Sequence, residues 1–352
     1  MSTPASFAIG AVTASPGSIA SGAIDVPARP GDAGTTIPFT IVHGAASGPV
    51  LALVAGTHGF EYAPIVALQR LRTAIDPARL RGTVVIVHVA NMPSFLGRTV
   101  YYSPVDGKNL NRVFPGKADG TISDRIAHAI TTEIIARATH VVDLHGGDGN
   151  ESLRPYLYWI TTGDAGVVAA SRALALAFGL DRVVVDDERP TDPAASVFLS
   201  NTAITRGKPA LTTEAGCLGQ SDDESIALIE RGVAGVMRHL NMRDDGPAPI
   251  DAPVWLDQNE VLRSGATGIF YPAVRRGQMV KKGVELGRVT DFHGRVLETV
   301  TAPFDGEVLY IVASPPINKG EPVGMVSATA GAATPRGSAN QDSQGRARHP
   351  RP

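Results

Sequence analysis

From Thr36 onward, short β-branched apolar runs alternate with stretches in which apolar residues recur every three or four positions. This is the pattern of a βαβ-type sheet with helices on its faces. The apolar runs predict strands over 37–42, 50–54, 83–89, 140–144, 156–160, 182–185 and 210–213. Helical period predicts helices over 63–75, 122–138, 165–178 and 225–240. The first of these gathers Val66, Leu68, Leu71 and Ile75 near one face, and the second gathers Ile126, Ile130 and Ile134. The sum is a three-layer α/β domain with a mixed sheet, about 240 residues long.

After residue 240 the pattern changes. Residues 241–250 hold two prolines, a glycine and three charges, and read as a linker. Residues 255–327 show no helical period; short strands broken by glycines every eight to twelve residues predict a small all-β barrel or sandwich. Residues 329–352 are Ala, Gly, Ser, Pro, Gln and Arg with almost nothing to bury, which predicts a disordered tail. The expected units are therefore a catalytic domain over 1–242, a β-rich domain over 253–328 and a tail over 329–352. Residues 1–27 lack a basic segment ahead of an apolar block, so they read as the start of the folded domain, with a cytoplasmic location expected.

Composition narrows the chemistry. The 352 residues carry 32 Lys+Arg against 34 Asp+Glu, a formal net charge of −2, so no global basic field exists to hold a nucleic acid backbone. No window reaches the ~18–20 uninterrupted apolar residues of a bilayer span, and no membrane role is expected. The single cysteine, Cys217, excludes an intramolecular disulfide and thiolate-rich zinc or iron–sulfur sites held by this chain alone. Any metal must sit on some of the nine histidines and on carboxylates.

Three strand ends offer such groups. In Val54-Ala-Gly-Thr-His-Gly-Phe-Glu-Tyr62 a buried strand runs through a glycine turn toward a helix, with His58 and Glu61 three apart at the turn. Open α/β sheets bind ligands in such crevices beyond the carboxyl ends of strands. In His140-Val-Val-Asp-Leu-His-Gly-Gly147 a second strand stops at His145. His58, Glu61 and His145 form the His, Glu, His set that catalytic zinc uses when its fourth position is left for water, although cobalt or manganese would also accept it. A hydrolytic centre needs a base, and Glu214 stands at a third strand end in Ala210-Leu-Thr-Thr-Glu-Ala-Gly216. Between the ligands lies the polar loop from Arg98 to Gly116, which contains Asn109-Leu-Asn-Arg112. A loop this long inside a compact domain tends to be functional. Arg112 can grip a carboxylate with its fork, Arg98 can stabilise an oxyanion, and Asn111 can add a hydrogen bond.

Four ordered motifs, Gly-Thr-His-Gly-Phe-Glu, Asn-Leu-Asn-Arg-Val-Phe-Pro-Gly, Asp-Leu-His-Gly-Gly and Thr-Glu-Ala-Gly, resemble the succinylglutamate desuccinylase/aspartoacylase family of zinc-dependent deacylases, related to the zinc carboxypeptidases. The resemblance spans roughly residues 30–328. It implies a zinc carboxypeptidase-like fold and one Zn2+ per chain on His58, Glu61 and His145, with Glu214 as general base and acid. It further implies Arg98 polarising the scissile carbonyl, Asn111 and Arg112 holding the carboxylate of the amino-acid part, and a small N-acyl amino acid as substrate. A carboxypeptidase acting on short peptides is the alternative enzyme, and a non-catalytic metal-binding or interaction protein the alternative outside catalysis; a homo-oligomer is left open. Two departures stand out. Asn109 replaces the Asp that orients the first histidine in many relatives, and keeps an accepting oxygen without the charge. Phe60 and Ala63-Pro64 flank the first motif where acidic or glycine residues are frequent, which alters the pocket wall.

Gly277-Gln-Met-Val-Lys-Lys-Gly283 and Ala302-Pro-Phe-Asp-Gly-Glu-Val308 resemble the two halves of the biotinyl/lipoyl barrel. The hairpin between them reads Asp291-Phe-His-Gly-Arg295, with no lysine to carry a swinging arm, so a barrel packed near the active-site mouth or at a subunit interface is expected. Tyr156, Tyr158 and Arg206 lie close to the motifs in sequence and are candidates for the pocket lining.

Overall fold

The computed structural model describes residues 4–329, so the expected tail lies outside them except for its first residue. At the centre is a nine-stranded mixed sheet. From one edge to the other its strands are Val254–Leu256, Arg182–Asp186, Tyr156–Ile160, Ala210–Glu214, His140–His145, Ala46–Ala55, Arg81–Val87, Thr35–His43 and Ser18–Val26. The middle strands Ala210–Glu214, His140–His145, Ala46–Ala55 and Arg81–Val87 run parallel, whereas Tyr156–Ile160 and Thr35–His43 join them antiparallel. Strands buried on both faces read as unbroken apolar runs, as Leu51 to Val54 and Val84 to Val87 do here.

Helices cover both faces. Tyr62–Ala74, Ala165–Phe178 and Asp223–His239 pack on one, sharing a core with Leu68, Leu71, Leu174, Phe178, Ile229 and Val233. Ile122–Ala129 and Leu199–Ile204 pack on the other, with Ile126, Ile130, Leu199 and Ala203. The helix expected to run on to residue 138 instead widens into a π-helical turn over Ile130–Ile135. The wider turn brings Ile130, Ile134 and Ile135 all to the interior, at most 1% exposed, which a regular helix cannot do for two adjacent residues as readily. Three short elements have no periodic signature in the sequence: the helix Met92–Gly97, the helical turn Leu110–Arg112 and the hairpin of Phe7–Ile9 with Val12–Ala14.

The β-rich segment forms two antiparallel sheets. One orders Gln258–Arg263, Pro322–Ala328, Gly306–Val312 and Met279–Val280; the other orders Val296–Thr301, Glu285–Thr290, Gly268–Pro272 and Pro316–Ile317. Phe270, Leu286 and Val289 face Val308, Val323 and Val326 in a core of their own. Strand pairing crosses the expected boundary twice. Val254–Leu256 is an edge of the central sheet, alongside Arg182–Val184, and Glu151–Leu153 from the α/β part pairs with Tyr310–Val312. A further apolar cluster of Leu153, Tyr156, Cys217, Leu256, Leu309, Tyr310 and Met325 seals the two parts together.

Candidate metal centre and active site

Register brings the strand ends together. Glu214 pairs with His145 across parallel strands, and Ala55 pairs with Leu144, so the turn holding His58 and Glu61 leaves the sheet beside both. Gly56 permits that exit: its φ is +71°, and a Cβ there would lie 2.9 Å from the Val89 Cα. His58, Glu61 and His145 are 9%, 3% and 2% exposed, and one ligand atom from each falls within 4.8 Å of the others.

Each imidazole is held at both ends. His58 turns Nδ1 to Glu61 Oε1 at 2.6 Å and Nε2 to Asn109 Oδ1 at 3.1 Å. His145 turns Nδ1 to Glu61 at 3.1 Å and Nε2 to Asp143 Oδ1 at 3.1 Å. A neutral imidazole has one N–H, yet both rings face acceptors on both nitrogens. Burial alone would depress both histidines; the Glu61 carboxylate, joined at His145 by Asp143, outweighs it and raises them. Burial likewise opposes the charge on Glu61, and the two imidazoles hold its carboxyl well below the usual carboxylate range. Glu61 Oε2 and both Asp143 oxygens are buried without a hydrogen-bond partner. Two inward Nδ1 atoms, a buried carboxylate oxygen and an excess of acceptors fit a cation, with Asn109 accepting from the outer N–H of His58 and the Asp143 carboxylate close beside His145 Nε2.

Glu214 lies against this group with no hydrogen bond from its carboxyl to any described residue. Burial pushes its pKa well above the usual carboxylate value; His145 pulls it back, while Glu61, Glu151 and Asp143 push it further. Tyr156 sits opposite Glu214 in the antiparallel pair, and its hydroxyl is 3.3 Å from that of Tyr158. Phe60 forms another wall, packed on Gly149 and Gly219, while Ala63 packs on Gly216.

The other expected residues divide. Arg112 lays its guanidinium 4.4 Å from the centre of the Phe198 ring and donates to the Asn111 carbonyl, with no carboxylate partner among the described residues. Asn111 is committed to the scaffold: its oxygen accepts from the Leu199 N–H and its nitrogen is 3.2 Å from His145 Nε2. Arg98 caps Met92–Gly97 in a left-handed conformation, φ 50°, with an exposed side chain that makes no hydrogen bond to the described residues. Arg206 is spent on the backbone carbonyls of Thr202 and Pro193.

The structure also shows residues that the sequence reading passes over. Asp143 lies two positions before His145, on the same face of one strand, and that alternation was its available signal. Tyr101, with φ 58°, stands edge-on to His58 with ring centres 6.3 Å apart and donates to Glu151 Oε1 at 2.7 Å. Tyr310, Arg189 and Arg263 reach the same region from distant segments, and nothing local in sequence marks them.

Comparison with known proteins agrees with this arrangement. The model of the succinylglutamate desuccinylase/aspartoacylase catalytic domain matches residues 47–240. The N-alpha-acetyl-L-2,4-diaminobutyric acid deacetylase of Halomonas elongata is 33% identical over 261 residues, covering 72% of this chain and 74% of that protein. Among solved structures, a succinylglutamate desuccinylase from Silicibacter sp. TM1040 superposes with a TM-score of 0.78 at 26% identity, covering 89% of this chain and 95% of that one. The product-bound ectoine utilization protein EutE (DoeB) of Ruegeria pomeroyi gives a TM-score of 0.78 at 28% identity, covering 88% and 95%. The shared domain takes in more than half of this chain and holds the strand ends that carry His58, Glu61, His145 and Glu214, and the chain belongs to the succinylglutamate desuccinylase/aspartoacylase family.

Proposed function

We propose that this family member is a zinc-dependent amidohydrolase that removes the acyl group from an N-acylated amino acid. The observation that carries the reading is Glu214, a largely enclosed carboxyl with no hydrogen-bond partner among the described residues, facing a His, Glu, His group with an excess of acceptors. The names of the relatives support amide hydrolysis. The carboxypeptidase-like layout and the division into units over 1–242 and 253–328 belong to the same proposal.

His58 and His145 through Nδ1, and Glu61 through its carboxylate, would hold the ion. When bound, zinc supplies a Lewis acid and an acidified water, with a pKa near ~7 in such sites. Asn109 keeps the His58 imidazole in the tautomer that leaves Nδ1 free to ligate, and the Asp143 carboxylate lies 3.1 Å from His145 Nε2. Glu214 takes a proton from the attacking water and gives it to the leaving amide nitrogen, so that the C–N bond breaks to an amine and a carboxylate. Arg112, which has no acid of its own among the described residues, anchors the α-carboxylate, and Arg98, exposed and without a hydrogen bond to the described residues, is assigned no step.

The test is metal analysis of the purified protein, then turnover of acetyl- and succinyl-amino acids beside short peptides. Zinc at one per chain and hydrolysis of N-acyl amino acids are expected, with Glu214→Gln lowering kcat by ~10²–10⁴-fold while zinc is retained. Activity confined to peptides would make the chain a carboxypeptidase, and unimpaired hydrolysis by the Glu214→Gln variant would remove Glu214 from the chemistry.

A further inference from the structure

A series of short contacts leads outward from the proposed centre through the segment that carries Arg112. Asn111 Nδ2 lies 3.2 Å from His145 Nε2, and Asn111 Oδ1 accepts from the Leu199 N–H at 2.9 Å, which fixes Phe198 beside Arg112. The Arg112 guanidinium carbon is 4.4 Å from the centre of the Phe198 ring, and that of Arg189 is 3.6 Å from the same centre. One ring therefore seats two cations. Arg189 is anchored from the sheet, because its Nε donates to Oδ2 of Asp186, the last residue of the strand Arg182–Asp186. Arg112 is anchored through Nη1, which donates to the Asn111 carbonyl at 2.8 Å. Among the described residues no hydrogen bond is made by Nε and Nη2 of Arg112 or by Nη1 and Nη2 of Arg189. Arg112 is exposed to solvent, yet the protein packed around it, and then Arg189, lower its pKa, so it stands in a crevice and not on an open surface.

From this geometry, and resting on the deacylase reading above, we infer that Arg189 is a second substrate-binding residue that shares the α-carboxylate with Arg112, and that Phe198 is the positioning residue that seats both guanidiniums for it. Two like charges on one ring repel, and the arrangement is relieved when an anion meets both. Asp186 neutralises one of the two cations, so the pair keeps a single net positive charge, the complement of one carboxylate. A carboxylate has about four acceptor sites on its two oxygens, enough to take N–H groups from two forks at once. Stacking uses the face of a guanidinium, whereas its donors lie in the plane, so contact with Phe198 leaves the free N–H edges available. Holding both side chains on the ring also removes part of their rotamer freedom before substrate arrives, which lowers the entropy lost on binding.

The test uses the zinc-loaded full chain and compares, as probes, Nα-acetyl-2,4-diaminobutyrate and its α-carboxamide, which lacks only the carboxylate. Wild type should favour the acid in kcat/KM by ~100-fold or more. Arg189→Gln should cut that preference ~10-fold, chiefly through KM for the acid, and should cut it again in an Arg112→Ala background. A preference unchanged by Arg189→Gln overturns the proposal, and so does a loss that vanishes once Arg112 is absent, because Arg189 would then act only through Arg112. Arg189→Gln also leaves Asp186 unpaired. The double variant Asp186→Asn/Arg189→Gln removes both charges and should keep the loss; a preference restored to the wild-type value overturns the assignment. Phe198→Leu should narrow the preference while Phe198→Tyr, which keeps the ring, should not, and the same ratio in both removes Phe198 from the site. Should Arg189→Gln fail to fold, the double variant decides, since it leaves no orphaned charge. If neither compound is hydrolysed, the deacylase reading falls, and calorimetry on the same pair still decides the subsite. Wild type should bind the acid at least ~10-fold more tightly than the amide, and Arg189→Gln should shrink that gap; equal or absent binding by wild type overturns it.

Discussion

Asp143 is fully buried beneath His145, and neither of its oxygens meets an aligned donor among the described residues, although His145 Nε2 approaches Oδ1 to 3.1 Å. Removing its charge should therefore act through the ligand it orients. Asp143→Asn is expected to weaken zinc binding ~10–100-fold, read by competition with a chelator, with kcat of the fully loaded enzyme much less affected. Arg112→Ala should raise KM for an N-acyl amino acid by ~10–100-fold with a small change in kcat, the signature of a lost charge-assisted bond to bound substrate. Arg98→Ala should stay within ~3-fold, and a loss of ~10² or more in kcat would return Arg98 to the oxyanion role suggested by its loop. The ligands and Glu214 were legible because each follows an apolar run and borders a glycine turn, so sequence alone put them at strand ends. Arg98 looked equivalent on type and proximity, but its direction is set by a left-handed cap that no local pattern announces. Tyr101 and Glu151 meet across 50 positions, a pairing visible only after folding.

At the scale of elements, the segment from Arg98 to Gly116 is pinned to the helix Ile122–Ala129 through its acids. Asp106 accepts from the Thr121 hydroxyl, the Ser123 N–H and the Ser123 hydroxyl; Asp124 accepts from Lys108 Nζ and closes a capping box with Thr121. Burial opposes both charges, but these donors prevail and hold both carboxyls below their usual values. A depressed pKa in the folded state stabilises above the unfolded value of ~3.9 and loses that contribution as pH falls through the folded value. Hydrogen exchange over 98–121 should accordingly quicken below about pH 4, and Asp106→Asn should already be quicker at about pH 7 with little further acid response. Sequence period located all four long helices to within a few residues, because their apolar stripes face a sheet that demands them. The break into a π-helical turn at Ile130 escaped it, since the isoleucine spacing is compatible with a continuous helix.

Across the whole molecule, the contact between the two parts is charged as well as apolar. Glu307, 5% exposed, accepts from Arg182 Nε at 2.7 Å and lies 3.1 Å from Arg154 Nε, while both arginines also reach Asp181. Arg276 donates to the Leu153 carbonyl and to Cys217 Sγ, three residues beyond Glu214. Glu307→Ala leaves two arginines facing each other and should destabilise by about 2–3 kcal/mol in chemical unfolding, somewhat below a fully buried pair because the arginines keep some solvent. Tyr310 of the β-rich part packs in one apolar cluster with Tyr156, which pairs with Glu214 across the sheet. Which of its strands would do so could not be read in advance, because docking depends on surface pairs such as Arg182 with Glu307, 125 residues apart.

The strand Glu151–Leu153 follows closely on the ligand-bearing strand that ends at His145, carries the carboxylate that accepts from Tyr101, and then completes the sheet of the other part beside Gly306–Val312. Evolution by shuffling is constrained accordingly. A replacement β-rich segment acquired from elsewhere would have to accept the edge presented by residues 151–153, so the two halves of this gene should diverge in step at that seam instead of being traded as independent cassettes.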